Sequence, residues 1–304
     1  MTWTMLGEDP ASAAARNAAP GPGIARLVMS CQDRPGIVAS VASFLHRNGA
    51  NIIQSDQYSS DPTGGRFFLR VEFHLPGMAA RLGSLERSFD TEVASALGAQ
   101  FRLRDATVPY RAALFVSRYD HCLLDLLWRE RRGELPIETV QVVSNHPDLQ
   151  ADVASFGVPY EYIPVTRATK AKAEARELAL LAGRVDLIVL ARYMQILSPD
   201  FLARCGVPVI NIHHSFLPAF AGAGPYEQAK QRGVKLIGAT AHYATEDLDE
   251  GPIIEQDVVR VSHRDSVDEL RRRGADIERT VLSRAVTWHC QDRVLLDGLT
   301  AIVF

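Results

Sequence analysis

The stretch Val207–Pro218 has the sequence VPVINIHHSFLP, a short apolar strand that ends in polar side chains. Side chains alternate between the two faces of a strand, so Asn211 and His213 share one face. Similar unbroken apolar runs, with helical stretches between them, occur at Ala112–Val116, Thr139–Ser144 and Val185–Leu190. Such runs indicate a parallel sheet that is covered on both faces, and open α/β sheets bind ligands where their strands end. We therefore predict a doubly wound α/β domain over 111–304 with Asn211 and His213 at its binding edge.

A cluster of carboxylates follows this strand. The runs Leu236–Tyr243 and Ile253–Val259 resemble strands, and the polar loop between them contains Asp249 in the sequence LDEGP. An acidic loop is often merely solvated, and buried Asn and His side chains are often structural partners. The residues alone leave that interpretation open beside a second one, in which the acidic loop contributes to a site with Asn211 and His213.

The N-terminal third has a different pattern. Apolar and polar residues alternate along Arg66–Leu75, which predicts a half-buried antiparallel strand. Helices are expected after Gly36 and over 78–97, and further strands at Ile24–Cys31, Asn51–Tyr58 and Gln100–Arg104. This order predicts a ferredoxin-like βαββαβ unit over 24–104. Residues 1–23, rich in Ala, Pro and Gly, are predicted to be a flexible tail, and 105–110 a linker.

Composition narrows the functional classes. The chain has 304 residues, a net charge of −3 and 47% hydrophobic residues, which is ordinary for a globular protein. The low charge argues against a nucleic-acid partner, and no run is apolar enough to span a membrane. The four cysteines are far apart and form no CxxC motif, which favours a reducing, cytoplasmic location.

The segment Asp33-Arg34-Pro35-Gly36-Ile37-Val38 lies between the first strand and the first helix, and Gly49-Ala50-Asn51-Ile52 opens the second strand. On physical grounds the first segment is either a well-made turn or a place where helix N–H groups hold a carboxylate. Over 24–104 the chain resembles ACT domains, which bind amino acids between paired copies. The resemblance implies a homo-oligomer, dimer or tetramer, and an amino-acid effector near Asp33, Gly36 and Asn51.

A second resemblance covers 111–304. Asn211-x-His213, Asp249 in LDxGP and the segment Ala191–Ser198 (ARYMQILS) are similar to motifs of the formyltransferase-fold family that uses 10-formyltetrahydrofolate. The resemblance implies that Asn211, His213 and Asp249 are catalytic and that folate is the substrate, with no other cofactor and no metal. The implied folate-binding residues are Arg192, Met194, Gln195, Ile196, Leu197, Ala244, Thr245 and Glu246.

The combination of the two domains resembles the deformylase branch of that family. Transfer to a phosphorylated amine would call for a Gly-rich phosphate loop after the first strand, but Ser117–His121 contains no glycine. We therefore expect hydrolysis of 10-formyltetrahydrofolate to formate and tetrahydrofolate, which feeds purine synthesis and balances one-carbon pools. Two alternatives remain: formyl transfer to an amine acceptor, and a catalytically lapsed protein that senses an amino acid.

In the expected chemistry, Asn211 and His213 stabilise the tetrahedral oxyanion and Asp249 relays protons between water and N10. Two other site types are disfavoured. A Ser215–His213–Asp249 triad would need a nucleophile elbow, which the sequence lacks. A metal site of His213, His214 and His242 would need adjacent histidines that point to opposite faces of a strand. The deformylase resemblance also leads us to expect lysines at two positions of the following loop, where the chain has Ala221 and Gly224.

Overall fold

The structure is a computed structural model that describes residues 21–61, 63–219 and 224–304. The described residues form two compact units, one running to Val108 and including Arg132–Glu134, the other holding Pro109–Arg131 and Leu135–Phe304. Across the described ranges, no helix has both the length and the apolar character needed to cross a membrane. Most of the predicted tail lies outside those ranges. Its last residue, Gly23, is part of the fold, since its carbonyl accepts a 2.8 Å hydrogen bond from Leu75 N.

The N-terminal unit is a four-stranded antiparallel sheet with strand order β2-β3-β1-β4. Its elements are β1 (Ile24–Gln32), α1 (Ile37–Arg47), β2 (Asn51–Ser59), β3 (Arg66–His74), α2 (Met78–Phe89) and β4 (Gln100–Asp105). Leu27 and Leu69 from the sheet share a core with Phe44 and Phe89 from the helices, whose rings meet edge to face at 5.2 Å. The predicted βαββαβ order is confirmed.

The helix expected over 78–97 is confirmed, and it contains a π-helical turn, Asp90–Ala94, before its last residues, Ser95–Leu97. One local prediction for this unit is wrong. The predicted half-buried β3 is buried on both faces. On its second face, Phe68 stacks on the ring of Tyr58 at 6.4 Å, and the Arg70 guanidinium, 3% exposed, pairs with Glu72 at 2.9 Å. The charged side chains of that face are paired with one another and need no solvent.

The C-terminal unit contains a seven-stranded sheet with order β11-β10-β9-β8-β5-β6-β7. The strands are β5 (Tyr110–Val116), β6 (Ile137–Ser144), β7 (Tyr160–Tyr162), β8 (Leu187–Leu190), β9 (Val209–His213), β10 (Leu236–Tyr243) and β11 (Ile253–Arg260). The helices are α3 (His121–Arg131), α4 (Gln150–Ala154), α5 (Lys170–Leu181), α6 (Pro199–Cys205), α7 (Pro225–Arg232) and α8 (Val267–Cys290). β5 to β9 are parallel to one another. β10 pairs antiparallel with β9, and β11 pairs antiparallel with β10. A hairpin of β12 (Val294–Asp297) and β13 (Thr300–Val303) follows α8.

The two faces of this sheet have separate cores. Along β5, Leu114 belongs to one core, which includes residues of α3 and α8, and Phe115 belongs to the other, which includes residues of α5 and α6. The predicted doubly wound α/β fold is confirmed, with two antiparallel strands added at one edge. Asp105 and Tyr110, which we expected in the linker, are the last residue of β4 and the first of β5.

The chain order positions a crevice beside β5. From β5 the chain builds outward to β6 and β7, and then crosses to the other side of β5 to form β8 and β9. Loops that follow such a switch point diverge and leave room for a ligand. The loop after β8, Ala191–Ser198, is here called the β8 loop. Its Met194 N–H donates a 2.9 Å hydrogen bond to Ser117 Oγ, just after β5.

Candidate active site

Asn211 lies in the middle of β9, directly opposite His242 in the antiparallel pair of β9 and β10. Directly opposed residues on the same face are close enough for their side chains to touch. The Asn211 Nδ2 atom is 3.2 Å from His242 Nε2. The amide is therefore oriented by a residue from the neighbouring strand.

His213, two residues further along β9, contacts the acidic loop. Its Nδ1 atom is 3.3 Å from Asp249 Oδ2, and both side chains are largely buried. Its Nε2 atom is buried and has no hydrogen-bond partner among the described residues. Buried polar atoms are normally paired, so an unpaired Nε2 beside a carboxylate-bound Nδ1 suits a ring that meets a ligand. The structure thus brings Asn211, His213 and Asp249 together.

Asp249 is held in an uncommon backbone conformation. Its φ angle is +60°, in the left-handed region that few residues other than glycine adopt. Gly251 follows, and a Cβ atom there would lie 1.8 Å from the carbonyl oxygen of Tyr243. The LDEGP loop therefore needs a glycine at 251 to close against the end of β10, and this tight turn directs Asp249 towards His213.

The surroundings of Asp249 favour its ionised form. Burial by itself would raise the pKa of Asp249, but hydrogen bonds and charge from His213 and His242 outweigh burial and lower that pKa below its usual range. His214 behaves differently, since burial and the charge of Arg192 lower its pKa to about 3. His214 is therefore neutral at physiological pH, while Asp249 is a carboxylate.

His242 also belongs to this centre, although the sequence did not predict it. The sequence suggests it only as a ligand in a metal site, which strand geometry disfavours. His242 is 2% exposed, and its Nδ1 atom is 2.9 Å from the carbonyl oxygen of Tyr243, so Nδ1 carries the proton of that bond. Its Nε2 atom faces Asn211 and is also 3.7 Å from Asp249 Oδ1. The signal that could have identified it is strand register: a histidine opposite Asn211 on a hairpin partner.

These residues border a cavity of about 340 Å³, here called the site cavity. Its wall includes seven of the eight residues implied for folate binding, namely Met194, Gln195, Ile196, Leu197, Ala244, Thr245 and Glu246. In the described part of the chain, no group hydrogen-bonds the backbone N–H of Gln195, Ile196 or Leu197. The wall therefore combines apolar side chains with backbone N–H groups that have no protein acceptor, as is typical of small-molecule sites.

Arg192 is the exception among the eight. Its φ angle is +64°, and its side chain turns away from the site cavity. The guanidinium lies 4.8 Å from the centre of the Tyr119 ring, and its Nη1 atom is 3.4 Å from Glu278 Oε2. It lines a neighbouring cavity of about 380 Å³. Arg192 therefore does not line the site cavity, unlike the other seven residues implied for folate binding.

Two other site types find no support in the geometry. The Ser215 hydroxyl donates a 2.8 Å hydrogen bond to the carbonyl of Ala219 and does not line the site cavity, so it is no nucleophile for His213. Among the described residues, the three that group closely enough to share a metal ion are His121, Cys122 and Glu278, not the three histidines considered above. The Glu278 carboxylate is already 2.8 Å from His121 Nε2 and close to Arg192, whose charge opposes a metal ion there.

The residues expected to bind an effector in the N-terminal unit lie at two ends of its sheet. Asp33 accepts a hydrogen bond from Ser59 Oγ, at the last residue of β2, whereas Asn51 is the first residue of that strand. A strand rises about 3.3 Å per residue, so the length of β2 separates them by about 26 Å. Gly36 has a φ angle of +94° and precedes α1, whose N-terminus has no side-chain cap. One copy of the chain does not bring Asp33 and Asn51 together.

Comparison with known proteins now identifies the family. The formyl transferase model matches residues 110–286 and the ACT domain model matches residues 25–87. The formyltetrahydrofolate deformylase of Mycobacterium tuberculosis H37Rv is 62% identical over 281 residues, which cover 92% of this chain and 91% of that protein. The Escherichia coli K12 formyltetrahydrofolate deformylase is 38% identical over 277 residues, covering 90% and 95%. This chain belongs to the formyltetrahydrofolate deformylase family.

Solved structures agree with this assignment. A formyltetrahydrofolate deformylase from Pseudomonas syringae pv. tomato superposes with a TM-score of 0.89 at 44% identity, covering 97% of this chain and 98% of that one. Glycinamide ribonucleotide transformylase 1 from Symbiobacterium toebii matches with a TM-score of 0.61 at 29% identity, over 64% of this chain and 94% of that one. The deformylase-type resemblance seen in the sequence is therefore confirmed over nearly the whole chain.

One departure from the expected deformylase pattern concerns the loop after β9. Ala221 lies outside the described residues. Gly224 has a φ angle of +67°, precedes α7 and lines the site cavity. A glycine at this position brings no charge to the cavity.

Proposed function

We propose that this chain hydrolyses 10-formyltetrahydrofolate to formate and tetrahydrofolate. The observation that carries the proposal is the convergence of Asn211, His213 and Asp249 at one end of a cavity whose wall is the β8 loop. Formate released in this way would feed purine synthesis and return folate to the one-carbon pool. Folate is the substrate, and the reaction is assigned no further cofactor.

The geometry supports a division of labour. Attack of water on the formyl carbon creates an oxyanion, and an Asn211 N–H and His213 Nε2 are the groups available to stabilise it. Asp249, ionised beside His213, accepts the proton of the attacking water and passes it to N10 as tetrahydrofolate leaves. His242 holds the Asn211 amide in place, so we assign it a positioning role.

Water is the proposed acceptor because the segment after β5 does not suit a phosphate. A phosphorylated acceptor would need free backbone N–H groups there, and the segment instead lies beside a buried carboxylate. After β5, His121 pairs with Glu278, whose carboxylate also accepts a 2.6 Å hydrogen bond from Tyr226. Hydrogen bonds and the charge of Arg192 overcome burial and lower the pKa of Glu278 to about 2, so this group is an anion. A buried anion and a loop without glycine disfavour a phosphate there.

The test is incubation with 10-formyltetrahydrofolate alone, with formate measured by a coupled formate dehydrogenase. We expect formate and tetrahydrofolate in equal amounts, without an acceptor and without added metal. Formate production only in the presence of glycinamide ribonucleotide would favour the transferase alternative. A folded protein that binds an amino acid but releases no formate would favour the lapsed sensor.

We also propose that the N-terminal unit assembles the chain into a homo-oligomer, a dimer or tetramer, and binds an amino-acid effector. β2 is an edge strand on which Ile53 and Tyr58 are exposed, and exposed edges favour pairing with another copy. A second copy would also bring Asn51 of one chain near Asp33 and Gly36 of the other, and the uncapped α1 N-terminus suits a carboxylate. In the full-length chain, Ile53→Lys should lower the mass measured by light scattering and weaken any amino-acid response.

A cytoplasmic location is the last part of the proposal. The four cysteines all lie within the described residues, and no disulfide joins any of them. Cys122 is buried, and burial raises the pKa of its thiol well above the usual value, so it stays protonated and unreactive. Thiols of this kind suit a reducing compartment.

A further inference from the structure

The β8 loop is fastened at its two ends by two glutamates of one helix. Glu174 and Glu177 lie three residues apart on α5, and residues at this spacing share a helix face. Glu177 is 0% exposed and Glu174 is 9% exposed. Burying two carboxyl groups on one helix face is costly unless their oxygens have partners, and Glu174 Oε1 is 3.9 Å from the Lys170 ammonium on the same helix.

Glu177 reaches the beginning of the loop. Its Oε1 atom accepts a 3.0 Å hydrogen bond from the Tyr193 hydroxyl, and its Oε2 atom is buried with no partner among the residues described. The Tyr193 ring packs edge to face on Phe115 at 5.2 Å and also lines the site cavity. The tyrosine is therefore held at one end by the sheet and at the other by the carboxylate.

Glu174 reaches the end of the loop. Its Oε1 atom accepts a 2.9 Å hydrogen bond from Ser198 N, and its Oε2 atom accepts a 2.5 Å bond from Ser198 Oγ. The same Ser198 hydroxyl caps α6 by accepting from Phe201 N at 3.1 Å. Loop and helix are thus joined at one residue.

Between these two fixed points are Gln195, Ile196 and Leu197, whose backbone N–H groups face no protein acceptor within the described residues. A ligand gains from such donors only if the loop is already in the bound conformation, because ordering a loop costs affinity. We propose that Glu174 and Glu177 are positioning residues that hold the β8 loop open for the pterin and thereby set folate affinity. This proposal rests on the proposed function for the identity of the ligand.

Neither glutamate lines the site cavity, and Glu177 reaches the cavity wall only through its hydrogen bond from Tyr193. Their loss should therefore raise KM and leave kcat nearly unchanged, which is the signature of lost ground-state binding. We expect Tyr193→Phe and Glu177→Leu each to raise KM for 10-formyltetrahydrofolate and Kd for tetrahydrofolate about five- to tenfold, since each removes one buried hydrogen bond. Glu177→Gln keeps the acceptor and should restore affinity to within about twofold of wild type.

The double variant Tyr193→Phe/Glu177→Leu sharpens the test. If both act through one bond, the double variant binds no more weakly than either single variant. Glu174→Leu should add its own loss, and Lys172→Ala, an exposed position on the same helix, is the matched control that should change nothing. Thermal unfolding of every variant checks that each is folded.

Kd for tetrahydrofolate, measured by titration calorimetry, separates this proposal from the proposed function. Unchanged Kd in folded Tyr193→Phe and Glu177→Leu would overturn the positioning role even if the wild type releases formate. A several-fold rise in Kd with rescue by Glu177→Gln would support it, even if the wild type released no formate and the hydrolase assignment failed.

Discussion

Two regions next to the site cavity each bury a carboxylate, and they treat it in opposite ways. At the strand ends, Asp249 lies between His213 and His242, whose hydrogen bonds and charge overcome burial and lower its pKa below the usual range. Behind the β8 loop, Glu177 has one hydroxyl partner, Tyr193, and burial raises its pKa to about 7. Both are surrounded by protein, so burial alone does not decide the charge.

The difference lies in the partners. Hydrogen bonds and charge from two histidines act on Asp249, whereas Glu177 has one hydrogen bond from a phenol and the nearby Glu174 adds repulsion. A group that must accept a proton from water needs to be ionised, as Asp249 is. A group that only accepts a hydrogen bond can serve in either protonation state, as Glu177 does. Chemistry and positioning therefore call for different electrostatic surroundings in the same domain.

The largest expected effect is on the reaction rate. Asp249→Asn keeps the size of the side chain but removes the proton acceptor, and we expect kcat to fall by about two to three orders of magnitude. Tetrahydrofolate should still bind, because the β8 loop is untouched. Formate release in single turnovers and Kd by calorimetry measure the two parts. A rate within about tenfold of wild type would remove Asp249 from the proton relay.

The second effect is on stability and follows from the raised pKa of Glu177. Between the ordinary glutamate value of 4.5 and about 7, the folded state binds a proton that the unfolded state has released. The contribution of protonated Glu177 to the free energy of unfolding is therefore complete below pH 4.5 and is lost as pH rises to about 7. The loss amounts to at most roughly 3 kcal/mol. Glu177→Gln should remove this component, which urea unfolding at several pH values measures. Parallel pH profiles for the two proteins would contradict the assignment.

The sequence predicted those features of the site that depend on local periodicity, and it did not predict those that depend on the conformation of a loop. Unbroken apolar strands and polar residues at their ends predicted the sheet of the C-terminal unit, and Asn211 and His213 are where strand periodicity placed them. Asp249 was connected with them only through the family resemblance, because the loop that brings it back depends on a left-handed φ angle and on Gly251. Local patterns do not predict such a turn uniquely.

Other features could not be predicted because they depend on tertiary contacts. Arg192 was expected at the folate wall, but its own φ angle sends the side chain towards Glu278, which is distant in sequence. The role of His242 needs the register of β9 and β10, and that of Glu177 needs the packing of α5 behind the β8 loop. In the N-terminal unit, the alternation of apolar and polar residues predicted the strands. It did not predict that the polar face of β3 would be buried, because that burial depends on the ion pairs of Arg70 with Asp56 and Glu72.

The smallest of the effects concerns His242 and tests why the two carboxylates differ. Removing both ring nitrogens with His242→Phe leaves Asn211 without its partner and Asp249 with one imidazole instead of two. We expect kcat to fall about tenfold, as for loss of one buried hydrogen bond. The pKa of Asp249 should rise towards the ordinary value, so the acid limb of the pH–rate profile should move to higher pH than in wild type. His213 is retained, so Asp249 should still be ionised at neutral pH. If kcat falls but the acid limb does not move, His242 orients Asn211 only, and His213 alone accounts for the ionisation of Asp249.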